Sequence, residues 1–156
     1  MYQYFPNKDS ILLTLALAHI DDGARAIRTS LADFAGQSVR LEEWLSAVVA
    51  TYADLHTRNP RLHKVLFEES PRPPELLIRF RQAERDAVKA VDRLLCQDRS
   101  LDLADPARTA RIVVAVIESL VHRFVSQQPD GINNQELTNE IVALLVTYVR
   151  ADRTEK

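Results

Sequence analysis

Glu118 and His122 are spaced to do chemistry together. One helical turn separates them, so on a helix they face the same way. A carboxylate and an imidazole so placed are the beginning of a divalent-metal site. A closed or catalytic metal site needs at least a third protein ligand. None stands nearby in the sequence, and Arg123 lies directly beside His122. An internal hydrogen bond or ion pair is therefore expected of this pair, and no metal. His19, His56 and His63 are scattered and suggest no cluster. His56, near the end of a helical pattern, suits the position where a cation meets the negative end of the helix dipole. The chain has no glycine-rich phosphate loop, nucleophile elbow, paired cysteines or spaced histidine–acid set. Its carboxylates fall mainly on polar helix faces, so neither an enzyme nor a cofactor is expected. Cys96 is the sole cysteine and sits among Leu94, Leu95 and Gln97. It cannot close an internal disulfide and reads as a small core residue, and the composition suits a reducing cytoplasm.

The elements that must position such residues are helical. A chain of 156 residues suggests one compact domain that buries roughly two-thirds of its unfolded surface. A hydrophobic fraction of 46% and a charged fraction of 27% exclude disorder. A net charge of −2 offers no bulk attraction to nucleic acid. No signal peptide is apparent, and the longest apolar run, 112–117, is too short to span a bilayer, so no membrane partner is expected. With only three glycines the chain has few residues for tight hairpin turns. Apolar residues instead recur at helical spacing almost throughout.

The first helix is expected from Asn7, its N-cap, to a stop at Gly36, with Ile20, Ala24, Ile27, Leu31 and Phe34 as its apolar stripe. Gly23 inside it invites a bend. A second helix is expected over 39–58 with Ser38 as N-cap, and a short third over 60–69 begun by Asn59-Pro60. Prolines 71, 73 and 74 make a stiff loop. A fourth helix follows over 74–98, with Leu76, Phe80, Ala83, Ala87, Val91 and Leu94 inward and Arg79, Arg85, Asp86, Lys89 and Arg93 in water. A fifth begins at Asp105-Pro106 and runs to about 128. The last covers 134–153. The stretches 112–117 and 141–146 are apolar on nearly every side and need cover all round. Antiparallel pairing of the two through the Pro129–Gly131 turn, then packing on the same pair of a second copy, supplies that cover. Ile112, Val116, Leu120, Arg123, Phe124, Val142, Val146 and Val149 are the expected dimer contacts.

The sharpest local signal is Tyr2-Gln3-Tyr4-Phe5-Pro6-Asn7-Lys8-Asp9-Ser10-Ile11-Leu12. It closely resembles the junction in TetR-family transcriptional regulators, where the DNA-recognition helix ends and the regulatory domain begins. The family pattern is an aromatic, any residue, an aromatic or histidine, Phe, a short turn, then Lys and an acidic residue before an apolar run. The resemblance implies an all-α fold: a TetR-like regulatory domain of about six helices after a stub of the recognition helix, the last two forming a dimeric four-helix bundle. Residues 1–6 are then the remnant of a helix-turn-helix, and 7–156 the ligand-binding and dimerisation domain. It further implies that Tyr2, Tyr4 and Lys8 contact DNA phosphates, which position a protein without reading sequence. Phe5 would fill the core of the DNA-binding unit. A helix-turn-helix needs three helices, and this chain begins inside the last turn of the third.

By the same resemblance the effector pocket lies among the middle helices. The matching residues are Trp44, Val48, Tyr52, His56, Leu62, Leu66, Phe67, Phe80, Ala83 and Ala87, with Glu118 and His122 adding polar contacts to mostly apolar walls. The expected function is that of a repressor-type sensor that binds a small apolar effector and forms a homodimer, its DNA binding impaired by truncation. A pure dimerisation module acting through mixed dimers is the alternative, and it needs no cavity. These 156 residues alone are expected not to bind an operator, and tight sequence-selective retention in a mobility-shift assay at physiological salt would overturn that.

Overall fold

A computed structural model describes residues 8–37, 40–58, 64–66, 72–127 and 132–151. They form α1 (Lys8–Ala32), α2 (Leu41–Thr57), α3 (Pro74–Gln97), α4 (Pro106–Val121) and α5 (Asn134–Ala151), with α4 running on as a π-helical segment, His122–Gln127. The fold is all-α, as the helical spacing predicts.

Local chemistry accounts for several helix ends. Asp105 caps α4 by accepting from the Arg108 N–H at 2.9 Å, and Pro106 takes the first helical position. Before α5, Asn133 Oδ1 accepts from the Glu136 N–H at 2.9 Å while Glu136 Oε2 accepts from the Asn133 N–H at 3.3 Å. That reciprocal pair is a capping box. Helix α1 ends at Ala32, four residues before Gly36, because single turns follow: Phe34 N–H to the Leu31 carbonyl and Ala35 N–H to the Ala32 carbonyl. Gly36 then takes a left-handed φ of 76°. Helix α2 starts two residues later than expected, behind Arg40, which makes no side-chain cap. The proposed caps Asn7, Ser38 and Asn59, the turn 129–131, and all but 64–66 of the short helix at 60–69 lie outside the described residues.

Helix α2 is the centre of the packing. Trp44, Leu45, Val49 and Ala53 are all at most 1% exposed, and α2 touches α1, α4, the π-helical segment and α5. Helix α5 lies antiparallel along α2 and is tied to it at both ends. Arg150 pairs with Glu42 at one end, and Asn134 Nδ2 donates to Thr57 Oγ1 at 3.0 Å at the other. Helix α3 packs chiefly on α4 and α1. The expected α4–α5 pairing exists, but each of these helices makes its larger contact elsewhere, α4 with α3 and α5 with α2.

Two apolar cores result. The larger joins Leu31, α2, the second half of α3, α4 and α5. The smaller joins Ala16, Ile20, Leu66 and Leu76. Contacts between α1 and α3 advance in the same direction along both, Ala16 near Leu76 and Asp21 paired with Arg79, so the two run roughly parallel. Cys96 departs from expectation. It is exposed, because Leu94 and Leu95 occupy the inward face of that turn.

Gly23 does not break α1, which is continuous through it. A Cβ built there meets only Leu55 Cδ1, at 3.7 Å, an ordinary van der Waals contact. Gly23→Ala should therefore stabilise the protein by about 1 kcal/mol through helix propensity. Urea denaturation reads this directly, and a destabilised variant would mean that the α1–α2 contact is tighter than this geometry.

Candidate functional site

Between the two cores, α1, α2 and α3 enclose a cavity of about 140 Å3. It exists because small side chains face one another where the cores stop: Gly23 and Ala24 on α1 against Ala83, Ala87 and Ala90 on α3. Interiors close to crystal-like density when large residues are available to fill them, and at these positions none is. Ile20, Ile27, Leu31 and Leu55 complete the apolar wall. The polar groups are His19 and Arg28 from α1, Tyr52 and His56 from α2, Glu84 and Asp86 from α3, and Glu118 from α4.

The sequence-derived pocket thus divides. Tyr52, His56, Phe80, Ala83, Ala87 and Glu118 do meet at this cavity. Trp44 and Val48 belong to the larger core beneath it, 1% and 5% exposed, and the buried Trp44 indole N–H has no acceptor among the described residues. They face away because α2 is covered on several sides, and only its C-terminal half turns toward α1 and α3. Leu66 is sealed in the smaller core. Leu62 and Phe67 lie outside the described residues. His122 stands behind the cavity wall, its ring 6.2 Å from that of His56 and nearly edge-on to it. Among the described residues no group of three metal-binding side chains occurs.

Sequence reasoning missed the α1 wall. The stripe Ile20–Ala24–Ile27–Leu31 reads as core, and all four positions are indeed partly or wholly covered, yet all four line the cavity. The available signal was the pairing of that stripe with Gly23 and an alanine-rich face on α3, which together leave space. Asp86, assigned to the wet face of its helix, is partly buried and lines the cavity too.

Burial governs the ionisation of the site. Desolvation, and then the carboxylate of Glu84, push the Glu118 carboxyl up to about 7. Burial, and then Glu118, raise the Tyr52 phenol above its ordinary value. His56 Nδ1 donates to the Tyr52 carbonyl oxygen at 2.8 Å, which assigns the ring proton because a carbonyl can only accept. Burial nonetheless holds His56 below its usual range, with His122 and His19 adding to that effect. At 6% exposure His56 sits where burial disfavours the helix-terminal cation that its position suggests. His19 is lowered by burial, against the opposing pull of Asp22.

The expected DNA-contact residues fall at the far end of α1. Lys8 is exposed in its first turn, and Tyr2 and Tyr4 lie outside the described residues. Of the expected dimer contacts, Ile112 is 38% exposed and Arg123 is exposed, while Val116, Leu120, Phe124, Val142 and Val146 are partly buried against the larger core. Val149 is wholly inside that core, at 0% exposure, because α5 turns it toward α2. It cannot reach a second chain directly. Leu144, 52% exposed, has the outward position instead. With Leu120, Phe124, Ile132, Leu137 and Ile141 it lines an open groove of about 620 Å3 along α5 and the π-helical segment.

The Glu118 carboxyl is raised in the folded state, so its protonated form stabilises the fold. That contribution is complete below its ordinary value of 4.5 and is lost as pH rises to about 7. Wild type should lose on the order of 2 kcal/mol relative to Glu118→Gln across that window. Parallel denaturation curves for the two proteins at all pH values would show that Glu118 is not desolvated.

The residues 41–148 match the family model described as the tetracyclin repressor-like C-terminal domain. No curated relative matches the sequence. The match spans α2 to the last turns of α5, and with it most of the helices that build the cavity, the larger core and the exposed groove. The chain belongs to the tetracyclin repressor-like family, through the C-terminal domain of that family.

Proposed function

We propose that this chain is the effector-sensing and dimerising part of a TetR-type transcriptional regulator. The observation that carries the reading is the position of the cavity: one wall of it is α1 between His19 and Leu31. Helix α1 is also the element that leads back to Lys8 and the aromatic residues before it. A ligand seated there touches the one helix whose tilt would set the position of an attached DNA-binding unit. Regulation then follows as a population shift, in which the ligand favours whichever α1 position fits it better. Tyr2, Tyr4 and Lys8 are proposed as phosphate contacts in that unit.

The same reading assigns dimerisation to the outer face of α4, the π-helical segment and α5. Ile112 and Leu144 are large apolar side chains left in water on those helices, and an apolar groove runs beside Leu144. A second copy related by a two-fold axis would cover them. The alternative, a dimerisation module without an effector, calls for a filled middle region, and the alanine-lined cavity weighs against it.

Both halves can be tested on the full chain. Single-ring probes of different charge should raise the thermal stability of the wild type, as any ligand of the folded state must. Ala24→Leu and Ala87→Trp, which fill the cavity from opposite walls, should abolish that response. Sedimentation should give about twice the chain mass of 17.7 kDa, and Leu144→Glu should shift the protein to monomer. A wild type indifferent to every probe sinks the effector reading, and a monomeric wild type at micromolar concentration sinks the dimer.

A further inference from the structure

The groups inside the cavity are unequal in charge. Glu84, Asp86 and Glu118 bring three carboxyls to its lining, Asp86 and Glu118 partly buried and Glu84 exposed at its edge, and Arg28 is the one guanidinium among its lining residues. Arg28 is exposed, and with Asp86 it also lines the outer polar groove between α1 and α3. It therefore stands at the mouth. Ion pairs among the described residues include Arg25 with Asp22, Arg79 with Asp21, and Arg40 and Arg150 with Glu42. None involves the three carboxyls of the cavity. Asp86 is engaged by the Gln82 amide at 3.0 Å. Glu118 is partly buried and is the one carboxyl delivered from α4. The Tyr52 hydroxyl lines the same space, and no hydrogen bond joins it to another described residue.

We infer that this cavity selects a compact single-ring monocation, an aromatic or alicyclic ammonium, over neutral and anionic molecules of the same size. The inference rests on the effector reading above and deepens it. Size sets the first limit. An apolar protein cavity of about 150 Å3 accommodates benzene, and this one is about 140 Å3. That space holds about one ring, and the rest of a larger molecule would stand in the opening beside Arg28. The aliphatic wall of Ile20, Ile27, Leu31 and Leu55 suits the body of such a ligand, and the rings of Tyr52 and Phe80 offer π-faces to its cation.

Charge sets the second limit. A neutral ligand that dries the cavity leaves the Glu118 carboxyl without a partner, which is costly. An anion meets three carboxyls. A divalent metal lacks its ligand set, since no group of three metal-binding side chains occurs among the described residues. An ammonium donates to Glu118 and satisfies it.

The ionisation of the site agrees. The Glu118 carboxyl is pushed up to about 7 by burial and then by Glu84, the behaviour of an acid that no cation compensates. The other groups facing it are His19 and Arg28 from α1, Tyr52 and His56 from α2 and Asp86 from α3, with His122 one turn along its own helix. Burial holds His19 and His56 below their ordinary value, which disfavours a cationic partner for Glu118 from either ring. A bound ammonium stabilises the ionised carboxylate. Its affinity should therefore rise with pH through about 7, until the amine itself loses its proton.

Calorimetric titration of the full chain with benzylamine, benzyl alcohol and benzoate tests this. Above pH 7, benzylamine should bind about tenfold more tightly than benzyl alcohol, the difference of one charge-assisted hydrogen bond, and benzoate most weakly. Glu118→Gln should weaken benzylamine about tenfold, leave benzyl alcohol unchanged and flatten the pH dependence. Glu84→Gln should do the same to a smaller extent. Benzyl alcohol or benzoate binding as tightly as benzylamine, or Glu118→Gln leaving benzylamine unaffected, overturns the charge selectivity. If Ala24→Leu still blocks binding in that case, the effector reading survives. Failure of all three probes to bind overturns both.

Discussion

Helix α2 has to be dry on more than one face. Leu41, Trp44, Leu45, Val48, Val49 and Ala53 cover too much of its circumference for one neighbour to shield. Helix α5 takes one side and is staked there at both ends by Arg150–Glu42 and Asn134–Thr57. Helix α4 and its π-helical extension take another, and α1 a third. Once these are placed, α3 has its position set by α4 and α1. The arrangement of the whole bundle follows from the need to keep water from one central helix.

The cavity is a by-product of how that requirement is met along α1. At its C-terminal end, Leu31 joins the large core around α2. Nearer its start, Ala16 and Ile20 join a separate cluster with Leu66 and Leu76. Between the two, the facing residues are glycine and alanine, and nothing large enough is present to bridge the gap. Packing of a protein interior tolerates such a void only at a cost in stability, so the facing glycine and alanines of α1 and α3 that leave it open are a feature of the sequence. The polar groups that reach it come from four different helices. That is why they combine into a site that no single helix displays, with Glu118 raised by burial and by a carboxylate from another helix.

The outer surface follows the same logic in reverse. The run 112–117 is apolar all round in sequence, yet one chain covers only part of it. Val113, Val114 and Ile117 go inward and Ile112 does not. Along α5, Leu137, Ile141, Leu145 and Val149 go inward and Leu144 does not. What remains outside is a short apolar strip, flanked by exposed Arg111 and Glu140.

The sequence alone determined the helical fold, most helix positions and the cap at Asp105, because those depend on periodicity and on side chains within a few residues of the backbone groups they satisfy. Six of the twelve residues expected around a pocket, Tyr52, His56, Phe80, Ala83, Ala87 and Glu118, do line one cavity. Tertiary structure alone decided the rest. Trp44, Val48 and Val149 read as well on a pocket or an interface as in a core, and only the number of helices gathered around α2 sends them inside. His56 reads as a helix-terminal cation, and only the packed bundle shows the burial that disfavours its charge. Cys96 reads as core until Leu94 and Leu95 are seen to occupy the inward face. The α1 wall, with Gly23 opposite Leu55 and an alanine face, is a property of two surfaces in register. Periodicity reports which face of a helix is apolar, and only the packed bundle decides what that face meets and whether the space between is filled.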